Sequence, residues 1–371
     1  MKQKIKIRAK IDRILFLLRR LMFKIDKNPA YFLYFVTGKC PQKCQHCFYK
    51  LREYSWPELG LGEIEKVSRS MGRFAFLLTT GGEPFSRTDF EKIPGIFYRN
   101  NQVRNIAIPT NGLLTDIILE KTEKILEECP QSALTINVSL HGIGELHDEI
   151  TQAKGSFEAA VRTCKALVAI RNRVPNIDVG VCTVISSINQ DRLKDIYKFV
   201  TKDLDIRIWA PFLIRGNPRN PETANVNMEF YKEISSFMKD QINKKKYFEY
   251  TRFFLSPWNT AKNALRRNVI YKIKTQNKRP GRCYAGELIG AMFPDGQVKL
   301  CELREETFGN IKDFNYDFSL LWNSEKAQEA RRKIDIEKCF CTHECFLTMN
   351  LFFNPKFLLG LLRERLRIGG L

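Results

Sequence analysis

The stretch Thr37-Gly38-Lys39-Cys40-Pro41-Gln42-Lys43-Cys44-Gln45-His46-Cys47-Phe48 constrains this chain more than any other. Three thiols stand at Cys-x3-Cys-x2-Cys spacing, directly after the apolar run Tyr31 to Val36. An unbroken apolar run of that length reads as a strand of a parallel sheet, buried on both faces. The cysteines then fall on the loop at the strand's C-terminal end, where α/β folds build their sites. Three thiols so close can hold three corners of one metal cluster and leave the fourth metal open to a small molecule. Tetrahedral zinc competes with this reading, because structural zinc takes four ligands and His46 offers the fourth.

Between residues 30 and 225 strand-like and helix-like runs alternate. The expected strands are Tyr31–Val36, Phe74–Thr79, Asn105–Pro109, Ala133–Leu140, Asp178–Ile185 and Ile206–Phe212, with helical patterns such as Ile117–Glu128, Ser156–Arg171 and Gln190–Thr201 between them. Such alternation specifies a parallel sheet with helices outside. Polar residues follow the strands: Thr110-Asn111-Gly112, Ser139-Leu140-His141-Gly142, Ser186, Ser187 and Asn189, and Arg215-Gly216. After the second strand comes Gly81-Gly82-Glu83-Pro84. Two adjacent glycines let a backbone approach a ligand closely, although the tetrapeptide alone also suits a plain turn.

The cysteine triplet with Phe48 behind it, and Gly81-Gly82-Glu83-Pro84 one βα unit later, resemble the signature of the radical S-adenosylmethionine (SAM) superfamily. The resemblance implies a partial (β/α)6 TIM-like barrel over residues 30–225, with Cys40, Cys44 and Cys47 holding a catalytic [4Fe-4S] cluster. SAM would chelate the open iron, and one electron from a reductant such as flavodoxin or ferredoxin would cleave it to a 5′-deoxyadenosyl radical. Carried over residue by residue, the SAM contacts fall on Phe48, Gly81, Gly82, Glu83, Pro84, Asn111, Ser139 and Asn189, with the glycine carbonyls and Glu83 accepting from the SAM ammonium. No side chain is singled out as catalytic. His141 stands where related sequences commonly have an aspartate. Relatives resembling His147-Asp148-x6-Gly155-Ser156-Phe157 often carry an arginine that pairs with the SAM carboxylate. Thr151 stands there instead, so that contact passes to Lys154 or to a strand-end polar residue, and a lysine offers only a point charge.

A second cysteine set lies in residues 281–350. Cys283 and Cys301 bracket Phe293 to Leu300, a hairpin with Asp295-Gly296 at its turn. Cys339, Cys341 and Cys345 follow at Cys-x-Cys-x3-Cys spacing. With Phe308-Gly309-Asn310-Ile311 and Leu320-Leu321-Trp322-Asn323 between them, they resemble the SPASM/twitch domains of the same superfamily. The resemblance implies one auxiliary [4Fe-4S] cluster held by four of Cys283, Cys301, Cys339, Cys341 and Cys345. Zinc stays open here too, since four thiolates suit it equally. Cys129, Cys164 and Cys182 stand alone and read as core residues.

The 61 Lys and Arg against 41 Asp and Glu leave a net charge of +20, and its placement matters. Residues 1–29 form a basic segment whose Ile11, Ile14, Leu15, Leu18, Leu21, Met22 and Ile25 repeat on one helical face. Residues 226–280 read as a basic helical connector, and residues 351–371 as a second basic amphipathic end. Helices of this kind either pack on a core or lie on an anionic membrane surface. No apolar run reaches the roughly 18 residues of a membrane-spanning helix. Eleven cysteines without a cleavable signal pattern point to reduced thiols. The expected place is therefore cytoplasmic, with a peripheral position on the inner membrane face. The expected activity is hydrogen abstraction from a peptide or a membrane-associated substrate, lipid or lipid-linked. Two alternatives remain: an RNA-modifying radical SAM enzyme, disfavoured because no RNA-binding module is recognisable, and a non-catalytic Fe–S electron carrier or sensor, which needs no SAM pocket.

Overall fold

The computed structural model describes residues 28–49, 57–243, 256–277 and 280–367. The amphipathic helix expected before residue 28 and the aromatic-rich stretch after Lys244 lie outside the described residues.

Six βα units follow one another. The strands are β1 (Tyr31–Thr37), β2 (Phe76–Gly81), β3 (Asn105–Thr110), β4 (Ala133–Ser139), β5 (Ile177–Ile185) and β6 (Ile208–Leu213). The helices are α1 (Leu61–Ser70), α2 (Lys92–Asn101), α3 (Thr115–Glu128), α4 (Glu145–Thr151), α5 (Ser156–Arg173) and α6 (Leu193–Lys198). Neighbouring strands pair in parallel, in sequence order from β1 to β6. This is the (β/α)6 arrangement expected from the alternation. The sheet is open, with β6 as one edge.

Successive strand residues point to opposite sides, and the inward set surrounds an unfilled interior. Tyr31, Leu33 and Phe35 of β1 line it, with Asn105, Ala107 and Pro109 of β3 and Thr135, Asn137 and Ser139 of β4. The outward set, such as Phe32, Tyr34, Ile106, Ile136 and Val181, is buried under the helices. Phe32 makes ring contacts with Phe74, Phe97 and Phe318, with centroids 5.4–6.0 Å apart.

The C-terminal part holds α7 (Met228–Asn243), α8 (Ser256–Gln276), β7 (Ile289–Met292), β8 (Gln297–Lys299), β9 (Thr307–Asn310), α9 (Phe318–Trp322), α10 (Glu325–Ile336), α11 (Glu344–Phe353) and α12 (Leu358–Arg367). The hairpin of the second cysteine set extends the barrel's own sheet: β7 pairs in parallel with β1, and β8 and β9 continue antiparallel, giving nine strands. Leu288 O accepts from Ala30 N at 2.8 Å and Tyr31 N at 3.0 Å, which fixes the register. Gly290 permits the packing, because a Cβ there would lie 2.5 Å from Trp322 Cη2. Helix starts follow local chemistry, with Asp317 capping α9, Ser324 capping α10 and His343 capping α11.

Candidate active site

The cysteine loop and the glycine pair are built against each other. Gly82 N donates to Thr37 O at 2.8 Å and Glu83 N to Lys39 O at 2.7 Å. A Cβ on Gly81, whose φ is +147°, would stand 2.3 Å from Thr37 O, and one on Gly82 would stand 2.2 Å from Lys39 O. Only glycine fits either position. The loop's far side is held by the end of α4, where Lys43 N donates to Thr151 O at 3.2 Å and Gln45 N to Ile150 O at 2.9 Å. Arg219 N donates to Cys47 O at 2.9 Å.

The barrel interior is a cavity of about 490 Å³. Cys40, Cys44, Cys47, Phe48, Gly81, Gly82, Asn111 and Ser139 all line it at the C-terminal ends of the strands. Asn111 Nδ2 lies 3.7 Å from Cys40 Sγ. Among the described residues, no group of three or more His, Cys, Asp or Glu side chains is already arranged to hold a single metal ion.

Three expected SAM contacts lie outside the cavity lining. Glu83 is fully buried, and its carboxylate accepts from Asn111 N at 2.6 Å, Thr110 Oγ1 at 2.9 Å and Phe85 N at 3.2 Å. It ties the glycine loop to the β3–α3 loop. Burial pushes its pKa up to about 7 against the pull of those bonds. Pro84 opens the 3-10 turn Pro84–Ser86 that Glu83 caps. Asn189 braces the end of β5, donating to His141 O at 2.7 Å and Val184 O at 2.8 Å. Lys154 is exposed and also outside the lining. Thr151 is buried, with its hydroxyl 2.7 Å from Ser156 Oγ and donating to His147 O at 2.9 Å. The His147-Asp148 to Phe157 motif is a helix start, in which Asp148 accepts from Gly155 N, Ser156 Oγ and Phe157 N at 2.5–2.9 Å.

A charged network missed by sequence reasoning joins the two cysteine sets. Arg215, at the end of β6, reaches Glu344 at 2.9 Å and Glu302 at 3.3 Å, and stands over the Phe48 ring at 5.5 Å. Glu344 also accepts from Leu213 N at 3.1 Å, and His343 Nε2 lies 2.6 Å from Glu302. Burial would raise the Glu302 pKa, but His343 and Arg215 hold it down at about 2. Each of these residues lies within two positions of a cysteine of the set or a strand end, and that proximity was the available signal.

The five C-terminal cysteines divide. Cys345 lines the main cavity and receives the Tyr31 hydroxyl at 3.5 Å. Cys283, Cys339 and Cys341 border a separate small cleft with Phe340 and Leu347. Burial pushes the Cys341 thiol up to about 12, helped by Cys283 and Cys339 nearby. Cys301 is raised by burial and then by Cys341, with Cys283 also contributing. Of the three lone cysteines, Cys129 and Cys164 are buried, whereas Cys182 lines the cavity, its thiol pushed up to about 12 by burial.

A family model described as the radical SAM superfamily matches residues 34–200. Fe-coproporphyrin III synthase of Methanosarcina barkeri is 32% identical over 319 residues, covering 81% of this chain and 75% of the relative. The chain belongs to the radical SAM superfamily. It is a radical SAM enzyme, which sets aside the carrier-or-sensor alternative. The antilisterial bacteriocin subtilosin biosynthesis protein AlbA of Bacillus subtilis is 23% identical over 80% of this chain, which spans 60% of AlbA. Among solved structures, SAM-bound SuiB of Streptococcus suis aligns with a TM-score of 0.59 at 14% identity, over 85% of this chain and 70% of SuiB. SAM-bound anSMEcpe aligns with a TM-score of 0.60 at 16% identity, over 91% of this chain and 98% of that one. These two share the fold of this chain.

Proposed function

We propose that this enzyme reductively cleaves SAM and removes a hydrogen atom from a peptide, beside an auxiliary [4Fe-4S] cluster. One observation carries the reading: the thiols of Cys40, Cys44 and Cys47, the Gly81-Gly82 backbone and Cys345 of the second set all face one cavity. Three half-buried thiols on one loop fit a cluster with an open corner. When bound, the cluster and SAM supply a 5′-deoxyadenosyl radical, a reagent no side chain can replace. The chain's own residues position and shield. Gly81 and Gly82 present backbone to the SAM amino group, Asn111 and Ser139 offer polar atoms to the rest of SAM, and Phe48 is steadied by Arg215. Leu33, Leu78 and Ala107 give the interior apolar walls that exclude water. Cys283, Cys301, Cys339 and Cys341 are the proposed auxiliary ligands, because their thiols neighbour one another. The electron comes from a flavodoxin- or ferredoxin-type reductant.

The peptide reading is supported by AlbA, named for bacteriocin biosynthesis, and by SuiB and anSMEcpe, each also solved with a peptide. Higher identity to a protein named for an iron porphyrin supports a second reading, in which the substrate is not a peptide. A peripheral position on an anionic membrane is supported by the exposed leucines of α12.

Anaerobic reconstitution followed by dithionite tests the core of the proposal. The protein should bind about eight irons, four per cluster, and release 5′-deoxyadenosine from SAM. Replacing Cys40, Cys44 and Cys47 together by Ala should remove about four irons and all 5′-deoxyadenosine. Continued SAM cleavage by that triple variant would overturn the assignment.

A further inference from the structure

We propose that the α8 wall of the cavity is an anion subsite, where Lys262, Arg266 and Arg267 hold a carboxylate or phosphate group of the substrate. The inference rests on reading the cavity as the substrate site. Lys262, Asn263, Arg266, Arg267 and Ile270 are the α8 residues that line it. Their spacing places 262, 266 and 270 in one row and 263 and 267 in the next, so they form a single helical face. Three of those five positions are cationic.

These cations are not a solvated surface. Lys262 and Arg267 are each only 6% exposed. Arg266 Nη1 donates to Thr348 Oγ1 of α11 at 3.0 Å, while its Nε is buried without a hydrogen-bond partner. A buried donor left unpaired costs free energy that a ligand oxygen recovers. Among the described residues lining the cavity, Asp178, Glu302 and Glu344 are the carboxylates, against Arg215, Lys262, Arg266 and Arg267. Glu302 and Glu344 are already engaged by Arg215, and Glu302 by His343 as well. Among the described residues the lining thus carries four Lys or Arg side chains against three carboxylates, and three of the four cations stand on α8.

The surroundings decide what kind of anion fits. Met349 and Phe352 of α11 and Ile208 of β6 share the lining, and Lys262 Nζ lies 5.9 Å from the Phe352 ring centre. Apolar walls strengthen a charge–charge contact by excluding water, and an arginine fork matches the two oxygens of a carboxylate or phosphate. The matching substrate has an apolar body and an anionic end. For a peptide, that end is an acidic side chain or the C-terminal carboxylate. None of the residues expected to touch SAM comes from α8, so the subsite serves the second substrate.

The test uses cluster-loaded protein saturated with SAM under anaerobic conditions, with two fluorescent probes. 1-Anilinonaphthalene-8-sulfonate carries an anionic group, and N-phenyl-1-naphthylamine has the same rings without it. Arg266→Gln and Arg267→Gln should each weaken sulfonate-probe binding about tenfold to a hundredfold, as for a charge-assisted hydrogen bond. Binding of the neutral probe should change less than about twofold, and Arg266→Lys should recover part of the loss. Circular dichroism melting of each variant separates this loss from misfolding. Decanoate or decyl phosphate should displace the sulfonate probe where decanol does not, and the stronger of the two identifies the anion. If both probes weaken together, or neither does, the subsite is wrong. Release of 5′-deoxyadenosine by the unsubstituted protein tests the parent reading separately, so the two failures are distinguishable.

Discussion

Three imidazoles cluster at the cysteine loop, with His46 edge-on to His141 at 4.3 Å between ring centres and His141 stacked on His147 at 5.7 Å. His147 Nδ1 accepts from His141 N at 3.0 Å, and His141 Nδ1 accepts from Val184 N at 3.2 Å. Both rings are therefore struts in their neutral form. Burial lowers the pKa of His46 and His147 to about 4 and lowers that of His141 well below its ordinary value. With folded values below 6.5, the unfolded chain takes up protons first as pH falls. The contribution of these rings to stability is full above about pH 6.5 and declines toward pH 4. His147→Asn keeps an acceptor for His141 N and removes one titrating ring. The unfolding midpoint of the unsubstituted protein should fall between pH 6.5 and 4, and the variant should fall less. The drop to about 4 sets a ceiling of about 3 kcal/mol on the difference at pH 4. Identical pH profiles for the two proteins would refute this account. Glu83 acts in the opposite sense: its raised folded value means that it withdraws stability as pH rises from about 4.5 to 7. At this scale the expected thiols and glycines line the cavity, whereas Glu83, Asn189 and Lys154 lie outside its lining. Residue type and strand-end position say that a polar group is near the site. Whether it faces the cavity or braces a loop depends on contacts with Thr110, Asn111 and His141 that spacing does not encode.

The elements were more legible than the contacts between them. All six barrel strands lie where apolar runs and polar ends predicted them. The largest offsets are at β2 and β6, which begin at Phe76 and Ile208, two residues after the runs do. Phe74 and Ile206 are buried there but precede the paired strand residues. What periodicity could not supply was the partner of β7. The Asp295-Gly296 turn marks a hairpin, whereas its pairing with β1 is a contact between segments over 250 residues apart, set by burial of Ile289–Met292. The glycine pair carried a different lesson. It permits a close approach, but the approaching group that the structure reveals is the backbone of the cysteine loop. Gly82→Ala should therefore act on two elements at once, because the new Cβ meets Lys39 O at 2.2 Å and one of the loops must shift. The variant should keep its far-UV circular dichroism yet bind SAM at least about tenfold more weakly and lose iron faster in air. Parent-like SAM affinity and iron content in Gly82→Ala would mean that the loop lock is dispensable.

At the scale of the whole molecule, the net charge of +20 and the two basic ends raise the question of where the enzyme works. Helix α12 bears on it directly. It packs against α8, where Gly360 faces Leu265, and Leu361 is buried, while Leu358, Leu359, Leu362 and Leu366 are 45–79% exposed. Those four fall on one side of the helix, and Arg363, Arg365 and Arg367 accompany them. Among the described residues no single helix is long and apolar enough to cross a membrane, and α11 with Pro355–Arg367 reaches that length and composition only as a pair bent by 90°. An apolar face flanked by arginines suits a helix lying at an anionic surface. Each Lys or Arg near an anionic lipid surface contributes about 1 kcal/mol, and salt screens that attraction within roughly 8–10 Å. An apolar face embedded among headgroups is much less sensitive to salt. The two contributions can therefore be separated in one experiment. Full-length protein should sediment with vesicles rich in phosphatidylglycerol at low salt and be partly released at high salt. Replacing Leu359 and Leu366 by Glu should reduce the bound fraction at both salt concentrations, because it removes the apolar contact and adds repulsion. Zwitterionic vesicles should bind far less. If the full-length protein stays in the supernatant with anionic vesicles at low salt, the leucines of α12 serve some contact other than lipid, and the peripheral reading fails.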